Sequence, residues 1–90
     1  MAANQLDIDT SSILDNIDDR QIEFDGTVDG EEYQFAVQYD VLEALSGDVP
    51  DGDGVQTFNL FVDPISDAAL SALARNSDQD IVIVSENDLD

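Results

Sequence analysis

Two stretches in the middle of the chain alternate between apolar and polar residues. Ile22 and Phe24 are flanked by polar residues, and the alternation returns from Tyr33 to Val37. A period of two is typical of a strand with one buried face. Between the stretches stands Asp29-Gly30, a dipeptide that tolerates the two positive φ angles of a type I′ turn. The pattern therefore predicts a β-hairpin.

The residues after the hairpin change to a helical period. Val41, Leu42 and Leu45 form an apolar stripe, Asp40 is a candidate N-cap, and Gly47 stands where a helix commonly ends. This spacing predicts a two-turn helix from Asp40 to Ser46. Residues 47–54, rich in Gly and Asp, then predict an acidic loop.

Residues 55–62 are ambiguous. Their Val, Thr and Phe content suits a strand, yet their apolar positions continue at spacings of three and four as far as Leu73, which favours a helix. Pro64 interrupts that stripe. With Asp63 as N-cap and Pro64 as the first helical residue, we expect a break there and a second helix that runs to about Arg75.

A run of four β-branched residues, Ile81 to Val84, comes near the end of the chain. Its flanks are polar, so it predicts a short strand, and its continuous apolar character favours burial on both faces at the centre of a sheet. At the other end of the chain, Thr10, Ser11 and Ser12 are candidate N-caps. The spacing of Ile13, Leu14 and Ile17 then predicts a short helix that ends near Asp18–Asp19.

Together these elements predict one α+β domain. We expect a small, mostly antiparallel three-stranded sheet, made of the hairpin and the C-terminal strand, with two to three helices on one face. Residues 20–90 would form the domain, and residues 1–19 would be an N-terminal lead with the short helix. Ninety residues leave no room for a second domain.

Charge is the dominant feature of the composition. Twenty-two acidic residues face two arginines, without lysine or histidine, for a net charge of −20. At about 0.1 M salt the summed repulsion approaches the roughly 5–15 kcal/mol that holds a typical domain folded, and at about 1 M it is largely screened. We therefore expect a protein of a halophilic microbe. The same field opposes binding to nucleic acid or to anionic lipid.

The composition also narrows the chemistry. Without cysteine there are no disulfides, thiolate metal sites or cysteine nucleophiles. The start of the chain lacks the basic and apolar regions of a signal peptide, and its apolar runs are too short to span a bilayer, so we expect a cytoplasmic protein. Without histidine, lysine or cysteine the common catalytic bases and nucleophiles are missing as well, and we expect neither an enzyme nor a cofactor.

One loop carries the weak candidates for a metal site. Asp48, Asp51 and Asp53 lie close together among glycines, and Ca²⁺ prefers such oxygen ligands. The EF-hand pattern fails, because placing Asp51 and Asp53 at its first and third positions puts Val55 at the fifth. A solvated turn is therefore favoured over weak cation binding.

Two functions are compatible with a strongly acidic chain for which catalysis, nucleic-acid binding and lipid binding are not expected. The first is a small accessory or interaction domain, whose partner is an unknown protein or a second copy of the chain, since three strands leave the edges of the sheet open. The alternative is an acidic mimic of DNA that binds a basic nucleic-acid-binding protein. Mimicry requires acids gathered on one face, whereas these acids occur in every segment of the sequence.

From Ile22 to Leu89 the order of features resembles an uncharacterised bacterial family, domain-of-unknown-function family 1488. The matching features are Ile22-x-Phe24, the hairpin with Gly30, Phe35-x-Val37, Leu42-Glu43-x-Leu45-x-Gly47, Phe58, Ile65, Ala68-Ala69, the strand Ile81–Ile83 and Asp88-Leu89. The resemblance implies a small α+β fold with an antiparallel sheet and offers no established activity. This chain departs from the family pattern in its extra N-terminal segment, in Pro64, and in lacking basic residues on the long helix.

Overall fold

The computed structural model describes residues 6–75 and 80–89, which form an α+β fold of one sheet and one helical layer. Its elements, in chain order, are β1 (Leu6–Ile8), β2 (Leu14–Asn16), β3 (Gln21–Val28), β4 (Glu31–Gln38), α1 (Tyr39–Ser46), α2 (Gly54–Leu60), α3 (Val62–Arg75) and β5 (Ile81–Val84), with 3₁₀ turns at Thr10–Ser12 and Glu86–Asp88.

The β3–β4 hairpin is the centre of the sheet and confirms the alternation in the sequence. Asp29 and Gly30 have φ angles of 54° and 86°, as the type I′ turn requires. Phe24 lies opposite Phe35, and their rings stack with centroids 5.1 Å apart. The alternating residues of both strands therefore face the same core.

The sheet is larger than predicted. The order β1-β3-β4-β5 gives four positions, and β2 shares with β1 the outer side of β3. All pairs are antiparallel except β4 with β5, which is parallel. The sheet is thus mostly antiparallel, with five strands instead of three.

The core lies between the sheet and the helices, which cover one face. Ile22, Phe35 and Val82 from the strands, with Phe58 and Ile65 from the helices, are at most 1% exposed. Phe58 packs its ring against Phe24, with centroids 5.1 Å apart. Burying these side chains stabilises the fold by roughly 1.5–3 kcal/mol each.

The helix predicted from Ile13 to Asp19 is wrong. Asp9 caps the 3₁₀ turn by accepting the Ser11 N–H through its Oδ1 (3.1 Å), and the chain then continues as strand β2. Because β2 pairs with residues 21–23 of β3, its backbone groups find partners in the sheet instead of in a helix. Of the N-terminal lead expected for residues 1–19, residues 1–5 lie outside the described residues, while Leu6–Ile8 form β1.

Helix α1 confirms the predicted segment but not its cap. Gly47 ends the helix in the left-handed conformation (φ 90°), and its N–H donates to the Glu43 carbonyl (2.8 Å). At the other end, Gln38 is the N-cap and Asp40 lies in the first turn. The N–H of Tyr39 donates to the Arg20 carbonyl (2.9 Å), so the turn before β3 supplies an acceptor for the first turn of the helix.

The two later helices settle the ambiguity at residues 55–62 in favour of a helix. The break lies at Phe61, three residues before the predicted position, because the backbone leaves the helical region there (φ −118°, ψ 31°). Pro64 is the third residue of α3, where a missing N–H costs no intrahelical bond. Within the described residues α3 reaches Arg75, and its predicted end there borders residues outside the described part of the chain.

Strand β5 exists as predicted, but its predicted position is wrong. It pairs with β4, and within the described residues no strand pairs with its other side, so it lies at an edge of the sheet. Val82 and Val84 face the core, whereas Ile81 and Ile83 are each 42% exposed. A β-branched run thus has one buried and one open face here.

Candidate functional site

The candidate site lies on the face of the sheet opposite the helices. Residues opposite each other in paired strands share a face, so the register assigns the residues of this face, which we call the open face. It carries Asp7, Leu14, Asn16, Gln21, Glu23, Asp25, Thr27, Glu32, Gln34, Ala36, Gln38, Ile81 and Ile83.

A shallow groove of about 240 Å³ crosses the open face. Leu14 and Ser12 line it on one side, Ile81 on the other, and Glu23, Asp25 and Gln34 also line it. Leu14 is 56% exposed and Ile81 42% exposed. Small-molecule sites usually enclose roughly 300–1,000 Å³. This groove is therefore smaller than a substrate pocket and suits one or two side chains of another protein.

Hydrogen bonds fix the polar groups of the groove. Glu23 accepts from the amide groups of Asn16 (2.9 Å) and Gln21 (2.7 Å). The bond from Asn16, followed by that from Gln21, holds the pKa of Glu23 below its usual range, because both stabilise the charged form. Glu23 is thus a fixed negative charge, unsuited to the role of a general acid near neutral pH.

The turn before β2 supports the same groove. Ser12 Oγ accepts the Asp25 N–H (2.8 Å) and donates to the Asp9 carbonyl (2.7 Å). The Asp9 N–H in turn donates to the Asp25 carbonyl (2.9 Å). Ser12 and Asp9 therefore replace a strand beside the middle of β3 and hold Leu14 at the margin of the groove.

The acids of the described chain occur in both layers. Asp7, Glu23, Asp25 and Glu32 lie on the open face, while Asp40 and Glu43 belong to α1 and Asp63 and Asp67 to α3. The turns between elements add further acids, whereas α2 and β5 have none. This arrangement differs from an acidic surface confined to one flank.

Two of the described acids that reach the interior have partners. Asp88, whose side chain is 1% exposed, binds the guanidinium of Arg75 through Oδ1 and accepts the Ser85 N–H through Oδ2 (3.0 Å). Asp15 lies on the covered face opposite Ile22 and accepts the phenol of Tyr39. Burial, then the bond to Asp15, raises the pKa of Tyr39 to about 12. Both acids have structural partners, Tyr39 for Asp15 and Arg75 for Asp88.

The three acids of the predicted cation site stay exposed in the loop between α1 and α2. Asp53 Oδ1 accepts the Asp51 N–H (3.0 Å), and Asp48 bonds through its backbone to Ser46. In residues 6–75 and 80–89, no group of three or more carboxylates is placed to hold a metal ion. The cation site therefore stays a sequence-based prediction without geometric support.

Sequence reasoning missed the open face as a site. The alternation marked Glu23 and Gln34 as outward-facing, but the sequence did not place Leu14 on a strand or Ile81 at an edge.

None of the helices described is long and apolar enough for a membrane crossing.

The comparisons with known proteins concern the fold. No protein-family model matches the sequence, and no curated protein matches it. A crystal structure of a protein of unknown function from Shewanella loihica PV-4, described as a member of domain-of-unknown-function family 1488, superposes with a TM-score of 0.73. The match covers 93% of this chain and 96% of that chain at 15% sequence identity. The chain thus has the fold of a member of that family, as the resemblance from Ile22 to Leu89 predicted.

Proposed function

We propose that this chain is a small, non-catalytic interaction domain of a strongly saline cytoplasm, and that its open face binds a partner protein segment with apolar and basic side chains. The observation that carries the proposal is the groove, in which exposed Leu14 and Ile81 stand beside the carboxylates of Glu23 and Asp25. Apolar anchors with a polar rim are typical of protein interfaces.

Salt explains the combination of apolar and acidic residues. At about 1 M salt the screening length is about 3 Å, so charges act only on groups in contact. Under those conditions Leu14 and Ile81 supply most of the affinity, while Glu23 and Asp25 select basic side chains at short range. Salt does not weaken the hydrophobic contacts of Leu14 and Ile81, because these contacts do not depend on charge.

The proposal of a halophilic host is supported by the charge itself. A net charge of −20 without lysine, with acids in both layers, suits a surface hydrated in concentrated salt. The absence of cysteine agrees with a cytoplasmic location without requiring it.

The test begins with capture from an extract of the source organism in molar KCl, followed by binding of the purified partner. The double variant Leu14→Glu/Ile81→Glu should weaken the affinity roughly tenfold or more. The matched control Val49→Glu/Leu60→Glu adds the same charge at exposed apolar residues outside the open face, and should retain the affinity. Equal losses in both variants would contradict the assignment of the open face.

Mimicry of DNA remains the alternative, and the same experiment separates it. A mimic would capture a basic nucleic-acid-binding protein that DNA displaces, and Asp7→Asn/Glu32→Gln would weaken that complex more than the Leu14 and Ile81 substitutions. Acids spread over both layers do not favour this function.

A further inference from the structure

The outer side of β5 combines an open backbone edge with apolar side chains and no charge. Within the described residues, only β4 pairs with this strand. Ile81 and Ile83 are each 42% exposed on the open face, and the four residues of β5 contain no acid. An edge strand with these properties is a template for pairing with another strand.

The opposite edge of the sheet is protected. There β1 and β2 have three residues each, the 3₁₀ turn Thr10–Ser12 separates them, and they carry Asp7 and Asp15. Short, interrupted and charged strands are ways in which proteins prevent pairing at an edge. The described sheet therefore leaves β5 as its pairing edge.

Charge favours a second copy of this chain as the occupant. Two molecules with a net charge of −20 repel each other over most of their surfaces, and they approach with the least repulsion where both are neutral. The edge at β5 meets this condition, because Asp80 and Glu86 flank the strand without lying in it. In molar salt the remaining repulsion is screened.

Three registers place isoleucines opposite each other in such a pair, and the one that pairs Ile81 with itself leaves Ile83 and Val84 opposite residues outside β5. A twofold axis normal to the sheet keeps the open faces of both copies on one side, so that Ile81 and Ile83 pair only with residues of that face. Pairing Ile83 with itself would place Asp80 opposite Glu86 of the partner subunit. Pairing Ile81 with Ile83 of the partner subunit places Asp80 opposite Val84 instead and avoids that repulsion.

We propose that two copies of this chain pair through β5 in antiparallel orientation, with Ile81 opposite Ile83 of the partner subunit. The pair forms one continuous sheet and brings four isoleucines together on the open face. A four-residue strand buries less than the roughly 800 Å² per partner of stable complexes, so the dimer is reversible and dissociates on dilution. This inference goes beyond the proposed function and does not depend on what the groove binds.

Sedimentation equilibrium of the purified chain in about 3 M KCl tests the pairing, because screening is then nearly complete. We expect a monomer–dimer equilibrium that shifts to monomer in about 0.1 M KCl. Ile83→Glu should raise the dissociation constant at least about tenfold, whereas Leu14→Glu adds the same charge on the same face and should leave it unchanged. Ile83→Thr keeps a β-branched residue at this position. It replaces Ile83→Glu in the experiment if the Glu variant lacks the circular dichroism spectrum of the folded protein.

Three results would overturn the proposal: a monomer at all concentrations in 3 M KCl, a dimer that neither Ile83 variant weakens, or an equal loss in Leu14→Glu. None of them bears on capture of a partner by the groove, so failure of the dimer and failure of the proposed function are distinguishable.

Cysteine cross-linking tests the register, since the chain has no cysteine of its own. Residues directly opposite in an antiparallel pair have Cα atoms about 4.5–5.5 Å apart, within the range of a disulfide. On oxidation, an equimolar mixture of Ile81→Cys and Ile83→Cys should form the mixed disulfide as well over half of the product, which is the share that random pairing would give. A random ratio of the three products would contradict this register.

Discussion

The two faces of the sheet are built from the same strands and have opposite surroundings. On the covered face, Ile22, Phe35 and Val82 are at most 1% exposed beneath the helices. On the open face, their sequence neighbours Glu23, Gln34 and Ile81 border a groove that no described element covers. The period of two thus places fold-determining and surface residues side by side in the sequence.

This difference assigns different physical roles to neighbouring residues. The covered face holds the molecule together through apolar contact, and two acids that reach the interior, Asp15 and Asp88, have partners. The open face carries charge, and its exposed apolar side chains contribute little to folding. Substitutions should therefore separate stability from binding according to face.

The largest expected effect comes from adjacent residues on opposite faces. Phe35→Ala should lower the free energy of unfolding by about 3–5 kcal/mol, because it removes a buried ring that stacks on Phe24. Gln34→Ala, one residue away on the open face, should change it by less than about 0.5 kcal/mol. Denaturant unfolding in molar KCl measures both, and similar losses would contradict the assignment of faces.

The ion pair between α3 and the C-terminal turn should show the next largest effect. Arg75→Gln leaves the Asp88 carboxylate, 1% exposed, without its cation, and should cost about 1–3 kcal/mol. Arg20→Gln makes the same change of charge at an exposed residue and serves as the control. If both variants lose equal stability, net charge rather than the buried partner is responsible.

A smaller effect is expected at Tyr39, which ties α1 to Asp15 on the covered face. Tyr39→Phe should cost about 1 kcal/mol, because it removes the hydrogen bond and leaves Asp15 without its phenol partner. Tyr33→Phe removes a bond from a partly exposed tyrosine to Glu31 (2.7 Å) on the surface and should cost less. Thermal unfolding of both variants at pH 7 makes the comparison.

The same tyrosine predicts a pH dependence. Its pKa is raised from 10.0 to about 12 in the folded protein, so the folded state retains the proton more tightly than the unfolded chain. The stabilisation is complete below pH 10 and should be lost between pH 10 and about 12. Tyr39→Phe should reduce this loss, and an unchanged pH profile in the variant would contradict the raised pKa.

The hairpin could be predicted from the sequence because its information is local. Alternation and Asp29-Gly30 specify both strands and the turn without reference to the rest of the chain. The helix from Tyr39 to Ser46 is similar, since its apolar stripe and Gly47 lie within nine residues. The α+β class followed from these elements.

The errors arose where distant partners decide the structure. Ile13, Leu14 and Ile17 have helical spacing, yet Leu14–Asn16 pair with β3, and Ile17 is 62% exposed. Ile81–Val84 would look the same at a centre or at an edge of the sheet, because strand order depends on the whole fold. The groove exists because Leu14 lies on a strand beside β3 and Ile81 lies at an edge of the sheet. The sequence alone predicts neither position, so it could not predict the candidate site.

The open face of the sheet and the helical layer both carry acids, and the central claim is that these acids form a hydration coat spread over both layers. The most direct test measures the free energy of unfolding from about 0.1 to about 3 M KCl, where screening becomes nearly complete. It compares the wild type with Asp7→Asn/Glu32→Gln on the open face and Glu43→Gln/Asp67→Asn on the helices. A hydration coat over both layers predicts stability that rises with KCl, with both variants reducing the rise equally. A flat salt response, or a reduction confined to one face, would contradict it.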